Sequence, residues 1–350
     1  MSRASVRLIA IASTLALLAV EAIAPPGAHA VPPLPAASAT AATTSKTAAL
    51  GGVRSVVRDA RTGAPVPRAC AALVPVDLVA LTSVMLGEEQ SGRPAGCTDE
   101  QGNLSVDGVT PGRYRLLVRP SDTARHGSQW VGRHGGTGER ERAQVIRVRG
   151  GAVTRAPEVR LDPPGTIVGV VTDAATGQPI RGASVLVVPF LPHPKYGENG
   201  VLTDEQGRYT MTGLGPYHWP LQFAATGRAI QWSGGVANRL QARPVRVRSD
   251  RTVTADQALT AGTVVSGVVL VDELATYAQV VAFNTVTGDL VGVADAGSPY
   301  MLRLLPGQRV KLRCDCSYRL PEWHRDAAGF DAATPVRVGR APVVVDFDLG

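Results

Sequence analysis

VVTDAATGQPIRGASVLVV spans residues 170–188, and VVRDARTGAPVPRACAALV spans residues 56–74. The two stretches share Val-Val, then Asp-Ala, Thr-Gly, Pro and Ala at matching places. Each opens with β-branched residues that favour a strand. Asp59 and Asp173 can accept hydrogen bonds from the backbone just ahead and so start a turn. Gly63 and Gly177 supply a positive φ at no steric cost. Pro65 and Pro179 fix φ and stop the first strand from continuing. A second apolar run begins at Ala69 and at Ala183. The chain therefore writes one strand–turn–strand unit twice.

A second block recurs behind it. TDEQGNLSVDGVTPGRYRLLV covers 98–118 and TDEQGRYTMTGLGPYHWPLQF covers 203–223. Asp99 and Asp204 open turns, and Gly102 and Gly207 relax them. Pro111-Gly112 fits the central pair of a type II turn. A third block, VIRVR at 145–149 and VRVR at 245–248, alternates valine with arginine. Period two means one buried and one wet face, so these arginines read first as solvated strand residues. A third, worn unit retains the strands at 262–283, Pro306-Gly307, and the closing strands at 335–349, without the Thr-Gly-x-Pro turn.

Short strands with frequent turn signals and almost no helical periodicity predict an all-β protein. The units tile 51–164, 165–261 and 262–350 as three consecutive small antiparallel β-sandwiches of prealbumin or Ig-like type. Three near-independent units predict that a chain ended near Gly262 stays folded. One short helix is predicted in the insertion at 77–90 from the spacing of Leu78, Leu81 and Met85.

The pattern G-x-V-x-D-x-x-T-G-x-P, followed by T-D-x-x-G-x-Y and P-G-x-Y, resembles the carboxypeptidase regulatory-like domain. It is similar also to starch-binding-like and collagen-adhesin B-type sandwiches with a carbohydrate-binding-like fold. The resemblance spans essentially all of 51–350, most closely in the first two units. It implies a non-catalytic extracellular module that folds, spaces or binds. It does not bring a peptidase, which in that family lies in another domain. The lysine–asparagine isopeptide bond of some adhesin repeats needs a lysine on an early strand, and the first two units carry none there.

The N-terminus reads as an export signal. Arg3 and Arg7 precede an apolar run from Leu8 to Ala24, and Ala28-His29-Ala30 gives a small-x-small cleavage site. Glu21, Pro25 and Pro26 interrupt the run, which argues against an uncleaved anchor. Cleavage near Ala30 by a Sec-type route predicts a secreted chain, unattached to membrane. Residues 31–50, rich in Pro, Ala, Ser and Thr, read as an extended linker. The net charge is +7, almost all from arginine, since Lys46, Lys195 and Lys311 are the only lysines. Such an excess permits weak attraction to anionic polymers and does not by itself point to nucleic acid.

Few residues of the chain stand in catalytic or metal-binding patterns. None of the histidines at 126, 134, 193, 218 and 324 stands in H-E-x-x-H or H-x-x-E, so no metal site or cofactor is predicted. There is no G-x-S-x-G elbow. Glu88, Glu89, Glu100, Glu139, Glu141 and Glu205 are glycosidase candidates by composition only, and no (β/α)₈ scaffold is present to place them. Any association with α-amylase would come through the starch-binding-like resemblance. The TDEQG turns offer too few oxygens for calcium. No catalytic residue is assigned.

Three tryptophans recur at matching places: Trp130 after Gln129, Trp232 after Gln231, and Trp323 in Pro-Glu-Trp. One reading packs each ring over a sheet edge. The other is a sugar-stacking platform, with Gln129 and Gln231 bonding hydroxyls. The functional reading is thus a secreted binding or spacer module. One alternative is a glucan-binding or amylase-accessory protein using these tryptophans. A further one is a cell-wall protein binding anionic polymer through the arginine strands and GRHGGTGERER at 132–142. Cys70 and Cys97 flank the insertion of the first unit, and an exported chain predicts a disulfide between them. Cys314 and Cys316 form C-x-C in a strand pattern, with no pairing assigned.

Overall fold

The computed structural model describes residues 49–77, 95–187, 200–270, 278–296, 299–316 and 321–349. The export signal, the linker up to residue 48, and the predicted helix beyond Asp77 lie outside the described residues. What is described is all-β, apart from one 3₁₀ turn at Arg140–Arg142.

The same strand order occurs three times. A first strand, Gly51–Asp59, Gly165–Asp173 or Thr263–Gly267, pairs antiparallel with Asn103–Val109, Arg208–Leu214 or Tyr300–Leu304. On its other edge it takes closing strands in parallel: Val153–Arg155 and Val159–Leu161, then Thr252–Thr254 and Gln257–Leu259, then Val343–Val344. The sheets are therefore mixed. The closing strand arrives after a crossover from the opposite sheet, not through a hairpin, so it runs alongside the first strand in the same direction. The opposite sheet is antiparallel. Its central strand is Cys70–Pro75, Ser184–Leu186 or Ala278–Asn284, flanked by Gly112–Arg119, Gln222–Ala224 or Arg309–Cys316.

The turn chemistry is local. Asp59 Oδ1 accepts from the N–H of Arg61 and of Thr62, both at 2.8 Å, and Gly63 takes φ 72°. Asp173 does the same with Ala175 and Thr176. Asp99 Oδ1 accepts from Gln101 and Asn103, and Asp204 Oδ1 from Gln206 and Arg208. The TDEQG carboxylates are thus spent on their own backbone. Two features differ from the sequence expectation. The left-handed residue ahead of the second sheet is Gly108, at φ 69°, while Gly112 already lies in its strand without a positive φ. And the third repeat has a Thr-Gly turn after all, moved to Asn284–Asp289, where Asn284 Oδ1 accepts from Val286 and Thr287.

Each repeat has a core of alternating strand residues. Val53, Val57, Leu73, Leu104 and Leu116 fill the first, and Val265, Val280, Leu302 and Leu312 the third. The central core is not confined to its own repeat. It joins Ile167, Val185 and Phe223 to Leu117, Trp130 and Ala143 of the first repeat, and to Phe283, Trp323 and Phe330 of the third. From residue 47 onward the chain forms one compact unit. The near-independence expected of a chain ended at Gly262 does not fit this shared core. Such a cut removes Phe283, Trp323 and Phe330 and leaves their partners wet.

Cys70 and Cys97 form a disulfide, lying directly opposite each other on paired strands. Cys314 is buried in the third core.

Candidate functional site

The recurring tryptophans are interior residues. Trp130, Trp232 and Trp323 expose 1%, 1% and 7% of their surface, and Trp219 none. Trp323 packs against Phe283 and Phe330 with ring centroids 5.7 and 5.6 Å away. Trp219 Nε1 donates to the Gly215 carbonyl at 2.9 Å. Gln129 and Gln231 are equally enclosed. Gln231 Nε2 donates to the Ala229 and Thr260 carbonyls, at 3.2 and 3.3 Å. Gln129 Oε1 lies 2.8 Å from the Tyr217 hydroxyl of the second repeat. The sugar-stacking platform is therefore corrected: a pyranose needs an open ring face, and these rings are sealed between sheets. The same five residues hold strand ends and junctions.

Among the described residues, the junction between the repeats holds a buried polar cluster. The loop after Trp232 carries Arg239 into a space where all three repeats meet. Its guanidinium grips Glu141 of the first repeat side-on, Nε to Oε2 at 3.2 Å and Nη2 to Oε1 at 3.0 Å. It also pairs with Asp289 of the third repeat and donates to the Thr287 carbonyl at 3.1 Å. Arg239 and Asp289 expose only 8% and 1% of their side chains. Arg115 reaches Glu141 at 3.5 Å, and Arg140 donates to the Pro75 carbonyl at 3.0 Å.

Charge in this space is balanced by contact. Burial works against the charge on Arg239, but Asp289 and Glu141 outweigh it and raise its affinity for the proton. Burial brings the Arg140 guanidinium down to about 10, with Arg239 adding to the fall. Burial opposes ionisation of Glu141 too, yet Arg239 holds that carboxyl below its ordinary range. Asp289 is the exception: full burial raises its carboxyl despite Arg239.

Sequence reasoning named Glu141 only as a weak glycosidase candidate and missed Arg239 and Asp289. The one available signal was the Thr-Gly turn in NTVTGD, which carries Asp289. Repeat alignment also helps. Arg140, Arg239 and Phe330 stand 6 residues before Ile146, Val245 and Val336, which open the strands Ile146–Val148, Val245–Arg246 and Val336–Arg337. One loop position thus serves each junction.

Two lesser features lie nearby. A cleft of about 430 Å³ between the first and second repeats is lined by Leu117, Arg119, Thr123, Met211, Leu214 and Trp219. Its walls combine an apolar floor with a hydroxyl rim. His126 Nε2 lies 3.0 Å from Asp59 Oδ2, bridging the first turn to the loop before Trp130. Among the described residues no group of three His, Cys, Asp or Glu side chains could hold a metal ion. None of their helices is long and apolar enough to cross a membrane.

Residues 166–260 match the family model of the carboxypeptidase regulatory-like domain. The match falls on the second repeat. Its Asp173–Gly177 turn, its TDEQG turn and its mixed first sheet are the structural form of the motif in this chain. No curated protein sequence matches the chain. Among solved structures it is similar to the Bacillus anthracis TIE protein, at 9% identity and a TM-score of 0.23, over 86% of this chain and 51% of that one. The chain thus spans about half the length of that structure. The minor pilin of Streptococcus agalactiae is similar at 14% identity and a TM-score of 0.26, over 60% of this chain and 95% of that one. For a variant of the major pilin subunit of Bacillus cereus the values are 10% and 0.19, over 86% and 99%. At such scores the overlaps assign no function.

Proposed function

We propose that the chain is an extracellular, non-catalytic structural module. In this reading three small sandwiches are locked into one body that spaces or presents what lies on either side. The observation that carries it is the junction: Arg239 of the second repeat held by Glu141 of the first and Asp289 of the third. A flexible binding array would leave its linkers wet and its repeat positions outward. Here the equivalent positions turn inward and are used for packing.

Three further features support the reading. The carboxypeptidase regulatory-like domain itself is a non-catalytic accessory in the resemblance drawn above. The Cys70–Cys97 disulfide suits an oxidising compartment. The first thirty residues have the grammar of an export signal. The glucan-binding alternative lost its residues when the tryptophans proved buried.

Expression with the native N-terminus in a secreting host tests this directly. The account expects the protein outside the cell, starting at Val31, with no thiol titratable at Cys70 or Cys97. Retention inside the cell with the first thirty residues intact would contradict it.

A further inference from the structure

Beyond the shared junction, a second feature repeats with the fold. In each repeat the strand behind the junction loop pairs antiparallel with an earlier strand: Ile146–Val148 with Gly112–Arg119, Val245–Arg246 with His218–Trp219, and Val336–Arg337 with Arg309–Cys316. The register sets Arg113 opposite Arg147, His218 opposite Arg246, and Arg309 opposite Arg337. All six side chains are exposed, and none has an ion-pair partner among the described residues. Arg149 and Arg248 stand two residues further along the same wet face in the first two repeats, where the third has Gly339.

Like charges directly opposite on paired strands destabilise a sheet. One such pair could be incidental. A basic pair at the same register in three repeats, Arg–Arg in two of them and His–Arg in the second, is a systematic placement of basic side chains where the fold gains nothing from it. Arginine is the residue used in five of the six positions, and its planar fork matches carboxylates two bonds at a time.

The chemistry selects the partner. Each pair is an open, solvated strand face and is weak alone. Useful affinity therefore needs one ligand that engages several pairs, which means a polymer charged along its length. Nucleobase stacking would need open aromatic faces, and all four tryptophans are enclosed. We propose that the three basic pairs are the contact points for a linear acidic polysaccharide, its carboxylates neutralising one pair per repeat. The proposal rests on the extracellular reading given above and adds a ligand class to it.

The test uses the full exported chain and polygalacturonate as the probe, with neutral amylose and duplex DNA beside it. A triple variant, Arg147→Gln, Arg246→Gln and Arg337→Gln, removes one cation from each pair. A charge-matched control, Arg125→Gln, Arg181→Gln and Arg251→Gln, removes three exposed cations elsewhere. Thermal melts of both confirm the fold. We expect the chain to bind polygalacturonate and not amylose. Binding should weaken steeply between about 0.05 and about 0.5 M NaCl. The pair variant should lose about tenfold or more in affinity and the control no more than about twofold. Equal losses in both variants would reduce the effect to bulk charge and overturn the proposal. Absence of binding, or tighter binding to DNA, would also overturn it. Either of those results leaves the structural-module reading to its own test, since export and the disulfide do not depend on the ligand.

Discussion

Arg239 and Asp289, 50 residues apart, form an ion pair buried between the second and third repeats, and the same guanidinium forks onto Glu141 of the first. Buried ion pairs contribute less than their Coulomb attraction suggests, because both ions are stripped of water. Their removal is another matter. Taking away Arg239 leaves Asp289 enclosed without its ion-pair partner and Glu141 with Arg115 at 3.5 Å.

Arg239→Met should therefore destabilise the protein by about 3–5 kcal/mol, read as the shift in urea midpoint. Adding Asp289→Asn to it should recover part of the loss, giving a coupling of about 1 kcal/mol or more in a double-mutant cycle. A variant within about 0.5 kcal/mol of the parent would show that the junction is held by apolar packing alone.

The tryptophans give an optical check. With all four enclosed, the native emission should be blue-shifted and nearly immune to iodide, then shift red on unfolding. Native quenching by iodide comparable to that of free indole would place at least one ring in solvent. Trp323→Ala, which empties the space beside Phe283 and Phe330, should cost about 3–5 kcal/mol. Loss of a merely exposed ring would cost far less.

Acid should weaken the fold through its turns. The backbone N–H of Thr62 is the main contact that holds the Asp59 carboxyl at about 2, against an ordinary value of 3.8. Asp99 and Asp173 are lowered in the same way, by Asn103 and Thr176. A lowered carboxyl stabilises the fold above its unfolded value and ceases to do so as pH falls through its folded value. Stability should thus decline from about pH 4 toward pH 2. Asp59→Asn keeps an acceptor for Thr62 but cannot titrate, so it should flatten part of that decline. An unchanged acid limb in the variant would remove Asp59 from the account.

The disulfide closes a separation of 27 residues. Loop-closure entropy gives it about 3.5 kcal/mol. The double variant Cys70→Ala and Cys97→Ala should lose about 2–4 kcal/mol in denaturant while keeping its β-type circular dichroism. A smaller loss would mean that the paired strands alone fix that edge.

What was legible in the sequence was short-range. The Asp-x-x-Thr-Gly and TDEQG turns are encoded within five residues, because a carboxylate bonding the backbone just ahead needs no distant partner. The Val-Arg alternation gave the wet and dry strand faces by the same locality. The junction was not legible. Arg239 meets Glu141 from 98 residues away and Asp289 from 50, and nothing near any of them announces the meeting. The tryptophans show a different limit. A repeated aromatic favours the core, since repeat positions serve the fold, but a sugar platform stays open until the neighbouring sheet is in place. The parallel closing strands follow from a crossover whose direction no local residue sets.

The central claim is that the three repeats form one cooperative body. Differential scanning calorimetry of the mature chain tests it most directly. The account predicts a single transition whose calorimetric and van't Hoff enthalpies agree, and a lower, still single transition for Arg239→Met. Two or three resolved melts in the parent protein, each keeping its midpoint when a neighbour is unfolded, would show separate domains on a string and contradict the claim.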